Sequence, residues 1–391
     1  MNDLLTKMPR KQLLVDIEPS VLNWLVESSG WTKEEIAKRL KSSPKTVEKF
    51  LSGEKKPTYR QLEELAAIFK RPVASFLLSK PVTEKPHPED YRMLPNKVNQ
   101  FDKKTILVMR KARKLQELSK ELSANVAYET KPKVQKVKPS EDSEKVAQKY
   151  RELFGLTEEK QRKFKTPYQL FNYIRDILEE ENIFLFQFSM PVEDARGFVF
   201  ADEIPNIIVV NTKDTIEARV FSLMHEFAHI LLGESVIDLP DATSTYKNNV
   251  EKWCNEFASA FLLPKEIAKA RFEENISVLT QKATLKTLSN RYKVSKAMLL
   301  LNMLKLNYIQ KSDYEAILGH YKAEGKPKKG KEGKKGGGIP SEVRCLSEVG
   351  NKFVSLVANN YDKNYITYTD ALSYLSIKSK SFDRVLSKAI K

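Results

Sequence analysis

One short motif in a strongly apolar segment constrains the fold of this chain most. Residues 219–233 have the sequence RVFSLMHEFAHILLG, in which His225 and His229 enclose Glu226. A helix turns about 100° per residue, so side chains four positions apart lie on the same face. The two imidazoles therefore converge on one point, and Glu226 falls beside it. The spacing predicts a helix that binds a metal ion and holds a carboxylate next to a metal-activated water.

The alternative interpretation is a buried helix whose two histidines are satisfied by hydrogen bonds alone. The chain has only four histidines, so a chance match to this motif is uncommon. Buried imidazoles and a buried carboxylate need polar partners, which a metal and its water supply. The segment is also apolar on most sides, which favours a helix at the floor of a cleft; its apolar residues are Val220, Phe221, Leu223, Met224, Phe227, Ala228, Ile230, Leu231 and Leu232.

A catalytic zinc site needs a third protein ligand, and a second amphipathic helix supplies candidates. Residues 250–264 have helical periodicity and end at Pro264, and Glu251 near their start is our preferred third ligand. A carboxylate suits a hydrolytic site because it leaves zinc more Lewis acidic than a thiolate does. The rival carboxylates are Glu234, Asp238, Asp241 and Glu256, of which spacing alone leaves Asp241 and Glu256 open. The thiol of Cys254, one turn after Glu251, is a further alternative.

Four segments carry a resemblance to a known family. They are 197–211, the motif segment 219–233, the segment 251–264 with its Asn-x-Phe-Ala core, and 56–66 with the sequence KPTYRQLEELA. Together they span most of residues 19–310. The chain resembles the ImmA/IrrE-type zinc metallopeptidases, in the version with an N-terminal Cro/repressor-like (XRE) helix-turn-helix domain.

The resemblance implies a site and a substrate class. His225, His229 and the glutamate at position 251 would be the ligands of Zn²⁺, and Glu226 would be the general base. Family members cleave a helix-turn-helix repressor, often in mobile elements or stress responses. The expected activity is therefore a zinc metallo-endopeptidase that cleaves a helix-turn-helix repressor or an antitoxin-like protein. From its position between His229 and Glu251, Tyr246 is our candidate donor to the oxyanion.

Local signals near the N-terminus predict a helix-turn-helix. Thr32 and Glu35 form a capping box, Pro44 suits a first helical position, and Gly53 ends the second helix of the pair. In such domains the N-terminal residues of the second helix face the bases, and flanking cations contact phosphates. The predicted base-facing residues are Lys45, Thr46 and Lys49, and the predicted phosphate contacts are Lys33 and Arg60.

Bulk composition sets the expected partners and compartment. The formal charge of +16 favours polyanions such as DNA, and the alternative is a surface that is simply basic. For the helix-turn-helix, the alternative is a dimerisation or partner-binding module. The two cysteines give no disulfide framework, and no apolar run reaches the roughly 18 residues of a spanning helix. We expect a cytoplasmic protein that binds DNA and a protein substrate. We also expect a second copy of the chain as a partner, in a homodimer, and no contact with a membrane.

The remaining patterns predict an α+β fold that is mostly α, with a small sheet in a zincin-like catalytic domain. Strands are expected at 183–188, 198–201 and 207–211, and Ser140 is expected to cap a helix that ends at Phe154. Residues 285–309 resemble a second helix-turn-helix, with Ser295 as a cap, whose apolar last helix favours packing over DNA contact. The predicted domains are helix-turn-helix 1–80, linker and bridging helices 81–160, metallopeptidase 161–275, helical subdomain 276–320, Lys/Gly-rich linker 321–338 and helical tail 339–391.

A second function class is compatible with these residues. The chain could be a DNA-binding transcriptional regulator whose zincin domain is a sensor or scaffold without turnover. The residues needed for catalysis are all present, which favours the enzyme.

Overall fold

A computed structural model of the protein describes residues 13–82, 101–233, 237–238, 249–324 and 339–389. The chain divides into two compact units. Unit 1 comprises Met1–His87 and Lys97–Leu107, and unit 2 comprises Pro88–Asn96 and Val108–Lys391. Within the described ranges, no helix has both the length and the apolar character needed to span a membrane.

Unit 1 is a bundle of short helices. Its helices are α1 (Pro19–Glu27), α2 (Lys33–Arg39), α3 (Pro44–Leu51) and α4 (Tyr59–Phe69), followed by a 3-10 helix at Val73–Leu77. The predicted caps are present, since Thr32 and Glu35 make the reciprocal hydrogen bonds of a capping box at α2. The apolar faces of the helices meet in one core, formed by Leu22, Leu25, Ile36, Val47, Phe50, Leu62, Leu65, Phe69 and Phe76.

Unit 2 contains most of the helices and a small sheet. After α5 (Lys103–Asn125), which includes the division between the units, come α6 (Ser143–Leu153), α7 (Glu158–Lys163), α8 (Pro167–Glu180), β1 (Ile183–Phe188), β2 (Gly197–Phe200), β3 (Asn206–Asn211), α9 (Ile216–Leu232) and β4 (Ile237–Asp238). The chain continues with α10 (Asn249–Leu262), α11 (Lys265–Glu273), α12 (Lys282–Tyr292), α13 (Lys296–Lys305), α14 (Lys311–Glu324), α15 (Ser341–Asp362), α16 (Tyr368–Leu375) and α17 (Phe382–Ala389). The predicted α+β class with mostly helix is confirmed.

Two local predictions in unit 2 had different outcomes. The predicted cap of α6 at Ser140 is wrong, because the Asp142 side chain accepts hydrogen bonds from the backbone N–H groups of Glu144 and Lys145 and starts the helix later. Ser295 does cap α13, by accepting a hydrogen bond from Met298 N. The apolar side of α13 is buried in the main core of unit 2 through Leu299, Leu300 and Met303.

The sheet has the strand order β1-β3-β2-β4. β1 is parallel to β3, β2 is antiparallel to β3, and the short β4 is antiparallel to β2. Every residue of β1, β2 and β3 is buried, so the sheet is covered on both faces. We call one face the motif face (Leu185, Val199, Ile208 and Val210) and the other the outer face (Phe184, Phe186, Phe188, Phe198, Phe200, Ile207 and Val209).

The C-terminal helices cover the outer face. The ring of Phe353 in α15 meets Phe186 edge-on with centroids 5.8 Å apart, and α15 packs along β1. The later part of α5 lies on the same face, where Lys111 stands over Phe188 and Arg113 over Phe200. The predicted helical tail is therefore part of the core of unit 2.

A buried ion pair fixes α15 against α8. Arg175 Nε donates to Glu179 Oε1 at 2.9 Å, and both side chains are buried. Arg175 also donates to the carbonyl oxygens of Leu185 in β1 and Ser347 in α15. α15 is kinked at Gly350, whose φ of +83° lies in the left-handed region. A Cβ at Gly350 would overlap the Glu179 carboxylate and lie 2.7 Å from Arg175 Nη2, so only glycine suits this close approach.

We predict that Gly350→Ala destabilises the protein by about 2–4 kcal/mol, because it adds steric overlap to an unfavourable φ at a buried ion pair. Chemical denaturation of the full chain measures this loss. The matched control is Gly319→Ala in α14, where a Cβ meets no atom within 4 Å; it should be neutral or stabilise by up to about 1 kcal/mol. Equal stability of the two variants would contradict the role given to the kink.

Candidate metal centre

Helix α9 carries the histidine motif through the middle of unit 2. The helix begins at Ile216, three residues before the segment 219–233, and Thr215 caps it by accepting a hydrogen bond from Ala218 N. The helix packs against the motif face of the sheet and against α8 and α10. At its far end Lys136 Nζ donates to Ile230 O at 2.7 Å and Val137 N donates to Leu231 O, which satisfies two of the last carbonyls.

The side chains of the motif are fully buried. His225, Glu226 and His229 each have 0% of their surface exposed. Nε2 of His225 and Nε2 of His229 face one another at 3.2 Å. The four-residue spacing therefore produces the convergence that the sequence predicts.

Helix α10 brings Glu251 to the same point. Glu251 Oε2 lies 3.4 Å from His225 Nε2, and Oε1 lies 3.3 Å from His229 Nε2. The ligand atoms of the three residues all lie within 4.8 Å of one another. We call His225, His229 and Glu251 the ligand cluster.

Several contacts hold α10 in place. Trp253 Nε1 donates to Glu141 O at 2.7 Å near the start of the helix. At the other end Arg151 Nη1 donates to Phe261 O and Gln161 Nε2 donates to Leu262 O. These bonds satisfy carbonyls that the last turn of a helix leaves without intrahelical partners. Glu251 is therefore presented from a helix that is anchored at both ends.

The ligand cluster fits a tetrahedral zinc ion. Zinc bonds of about 2.0–2.2 Å place neighbouring ligand atoms roughly 3.3–3.6 Å apart in a tetrahedron, and the three distances in the cluster, 3.2, 3.3 and 3.4 Å, lie close to the lower end of this range. Two imidazole lone pairs at this separation repel each other unless a proton or a cation lies between them. Two histidines with one carboxylate is also a donor set of catalytic zinc sites.

Electrostatics keep the Glu251 carboxyl ionised. Burial by itself would raise the pKa of Glu251, but hydrogen bonds and charge interactions with His225 and His229 outweigh burial and hold the pKa well below its usual range. The carboxylate is thus in the protonation state that a metal ligand requires.

Strand β2 lies directly over Glu226. A Cβ built on Gly197 would be 3.0 Å from Glu226 Oε1 and 2.9 Å from Val209 O. The strand can approach the Glu226 carboxylate this closely because residue 197 has no side chain. Sequence reasoning placed this glycine just outside the predicted strand and assigned it no role in the site.

The other predicted ligands lie elsewhere or outside the described residues. Glu256 Oε2 accepts a hydrogen bond from Ser143 at 3.3 Å, so its carboxylate is not part of the ligand cluster. Cys254 is fully buried with Sγ 3.6 Å from His229 Nδ1, the ring nitrogen that faces away from the ligand cluster. Asp238 belongs to β4, but its side chain is not described. Glu234, Asp241 and the oxyanion candidate Tyr246 fall outside the described residues.

The predicted DNA contacts lie on the surface of unit 1. Lys45 and Lys49 are exposed on α3, and Thr46 Oγ1 lies 3.0 Å from Ser43 Oγ at the start of that helix. Lys33 begins α2 and pairs with Glu48 at 3.7 Å. Arg60 on α4 is largely exposed and pairs with Glu64 at 3.5 Å. The two candidate phosphate contacts are thus weakly paired surface cations.

Two family models match this chain. Residues 178–303 match the peptidase family M78 model, described as an IrrE N-terminal-like domain, and residues 22–76 match a helix-turn-helix model. No curated protein matches the chain. The order of the two matches confirms the predicted resemblance: a DNA-binding helix-turn-helix domain precedes a domain of the metallopeptidase type.

We predict that Gly197→Ala destabilises the protein by about 1–3 kcal/mol, because the added methyl group forces either the Glu226 carboxylate or the β2–β3 pairing to shift. Chemical denaturation measures the loss. The same substitution in a Glu226→Ala background separates the two causes. A smaller loss in that background is expected, and an equal loss would show that contact with Glu226 contributes nothing.

Proposed function

We propose that the protein is a zinc-dependent metallo-endopeptidase coupled to a DNA-binding domain. The observation that carries the proposal is the ligand cluster, in which Nε2 of two histidines and a carboxylate from a second helix converge at 3.2–3.4 Å. Glu226 adjoins His225 in sequence and is buried under β2. A structural metal site has no need of this second carboxylate, whereas a hydrolytic site uses it as a base.

The residues divide the chemistry between them. His225, His229 and Glu251 would hold Zn²⁺, which when bound supplies Lewis acidity to the attacking water and the scissile carbonyl. The Glu226 carboxylate accepts the proton of the attacking water and then donates it to the nitrogen of the leaving amine. The close approach of Gly197 to the Glu226 carboxylate restricts the positions that this carboxylate can take on the side of β2.

The proposed substrate is a helix-turn-helix repressor or an antitoxin-like protein, and the proposed setting is a stress response or the control of a mobile element. The match to an IrrE N-terminal-like domain and the presence of a helix-turn-helix domain in the same chain support this proposal. The unit 1 domain would place the peptidase at a DNA site where such a repressor is bound, and the positive charge of the chain favours that location.

We predict that Glu226→Gln keeps zinc and abolishes cleavage, since the amide preserves the shape of the side chain but cannot take up a proton. His225→Ala should lose both zinc and cleavage. Metal content by elemental analysis, and new protein N-termini by terminal-peptide mass spectrometry in cells that make the protein, are the two measurements. Glu256→Gln on the same helix as Glu251 is the matched control and should behave as wild type.

The outcomes separate the two function classes. New N-termini in a helix-turn-helix protein with wild type, and not with Glu226→Gln, support the peptidase and its substrate. New N-termini only in proteins of other classes would refute the substrate. Zinc binding without any cleavage that depends on Glu226 would instead favour a DNA-binding regulator with a non-catalytic metal domain.

We predict that Lys33→Ala and Arg60→Ala each lower the salt dependence of binding to a mixed-sequence DNA duplex. The plot of the logarithm of the observed association constant against the logarithm of the salt concentration should become less steep by about 0.9, which is the contribution of one phosphate contact. Fluorescence anisotropy titrations at several salt concentrations measure the slope. Lys80→Ala removes the same charge from an exposed position outside α2, α3 and α4 and should leave the slope unchanged. An unchanged slope in the first two variants would refute these phosphate contacts.

A further inference from the structure

The sulfur of Cys254 lies behind one of the proposed zinc ligands. Cys254 is fully buried on α10, and its Sγ is 3.6 Å from His229 Nδ1. The other nitrogen of the same ring, Nε2, points to His225 and Glu251. The His229 ring therefore faces His225 and Glu251 through Nε2 and the sulfur of Cys254 through Nδ1.

A histidine that binds a metal through Nε2 carries its proton on Nδ1 in the neutral form. When the ring is buried, that N–H needs an acceptor, and the acceptor fixes both the tautomer and the orientation of the ring. Carboxylates, backbone carbonyls and waters usually fill this role. A cysteine sulfur is a weaker acceptor, but here it lies within hydrogen-bond distance of Nδ1.

The placement of Cys254 follows from the helix that also carries Glu251. Residues three positions apart lie on the same helix face, so one face of α10 presents a proposed ligand and, one turn later, the sulfur. Hydrogen bonds from Trp253, Arg151 and Gln161 anchor this helix. Glu251 and the contact to His229 are thus held by the same rigid element.

We propose that Cys254 is a positioning residue of the metal centre, whose sulfur accepts the Nδ1–H of His229 and so directs Nε2 of that ring towards the metal. The inference rests on the zinc site of the proposed function and not on peptidase activity. Cys254 acts through His229 and is not itself a ligand.

The test measures zinc affinity of the full chain by competition with a chelator. Cys254→Val retains an apolar side chain of similar size without an acceptor and should weaken zinc binding about 10- to 100-fold. Cys254→Ser retains an acceptor and should recover most of the affinity. Cys345→Ser, at the other buried cysteine, is the matched control and should bind zinc as wild type does. Equal affinities of Cys254→Val and wild type would overturn the proposal.

Two measurements on the wild-type protein keep the proposal testable if a variant fails to fold. Long-range proton–nitrogen NMR of the zinc-loaded chain should show His229 with a proton on Nδ1 and none on Nε2; the opposite tautomer would overturn the proposal. Substitution with cobalt should give no sulfur-to-metal charge-transfer band, and such a band would identify Cys254 as a ligand instead. Absence of zinc binding by wild type would refute the proposed function itself, which distinguishes the two failures.

Discussion

The convergence of two imidazoles and a carboxylate in the buried interior is the constraint on which the rest of unit 2 depends. Polar groups removed from water cost several kcal/mol unless they are paired, and ionised groups cost more. A cation placed between His225, His229 and Glu251 would offset this cost, because it would pair with the polar groups of all three side chains. Their exposure of 0–3% means that the helices α9 and α10 must pack closely around this point.

The two helices share one apolar core but differ in their polar contacts. α9 is buried on almost all sides by the sheet, α8 and α10, so apolar packing sets its position. α10 is buried in the same apolar core through Trp253, Phe257 and Phe261. In addition, Arg151 and Gln161 donate to its last carbonyls and Trp253 donates to Glu141 O. These hydrogen bonds and the apolar packing together set the rotation of α10, on which the approach of both Glu251 and Cys254 to His229 depends.

The sheet links the metal centre to the C-terminal helices. Its motif face lies against α9, and its outer face is covered by α15 and the later part of α5. β1 has no alternation of apolar and polar residues, a pattern typical of strands buried on both faces. The buried pair of Arg175 and Glu179 joins β1, α8 and α15, so residues after 339 support the β1 edge of the sheet.

Local signals in the sequence were sufficient for much of the structure. The bounds of β1 at Ile183–Phe188 and the capping box of Thr32 follow from periodicity and from residues within a few positions of each other. The convergence of His225 and His229 is equally local, because helix geometry alone determines it. The family resemblance also rested on contiguous motifs, and two family models match the same regions.

The sequence by itself therefore determined the features that lie within single elements. These are a helix with two imidazoles and a carboxylate, and a helix-turn-helix that precedes it in the chain. Tertiary structure alone decided which carboxylate from another helix joins the histidines. It also placed Cys254 next to Nδ1 of His229, away from the metal position, and made Gly197 and Gly350 points of close approach between elements. The physical reason is that these relations depend on the rotation and packing of elements far apart in the chain. Spacing along one helix carries no information about that packing.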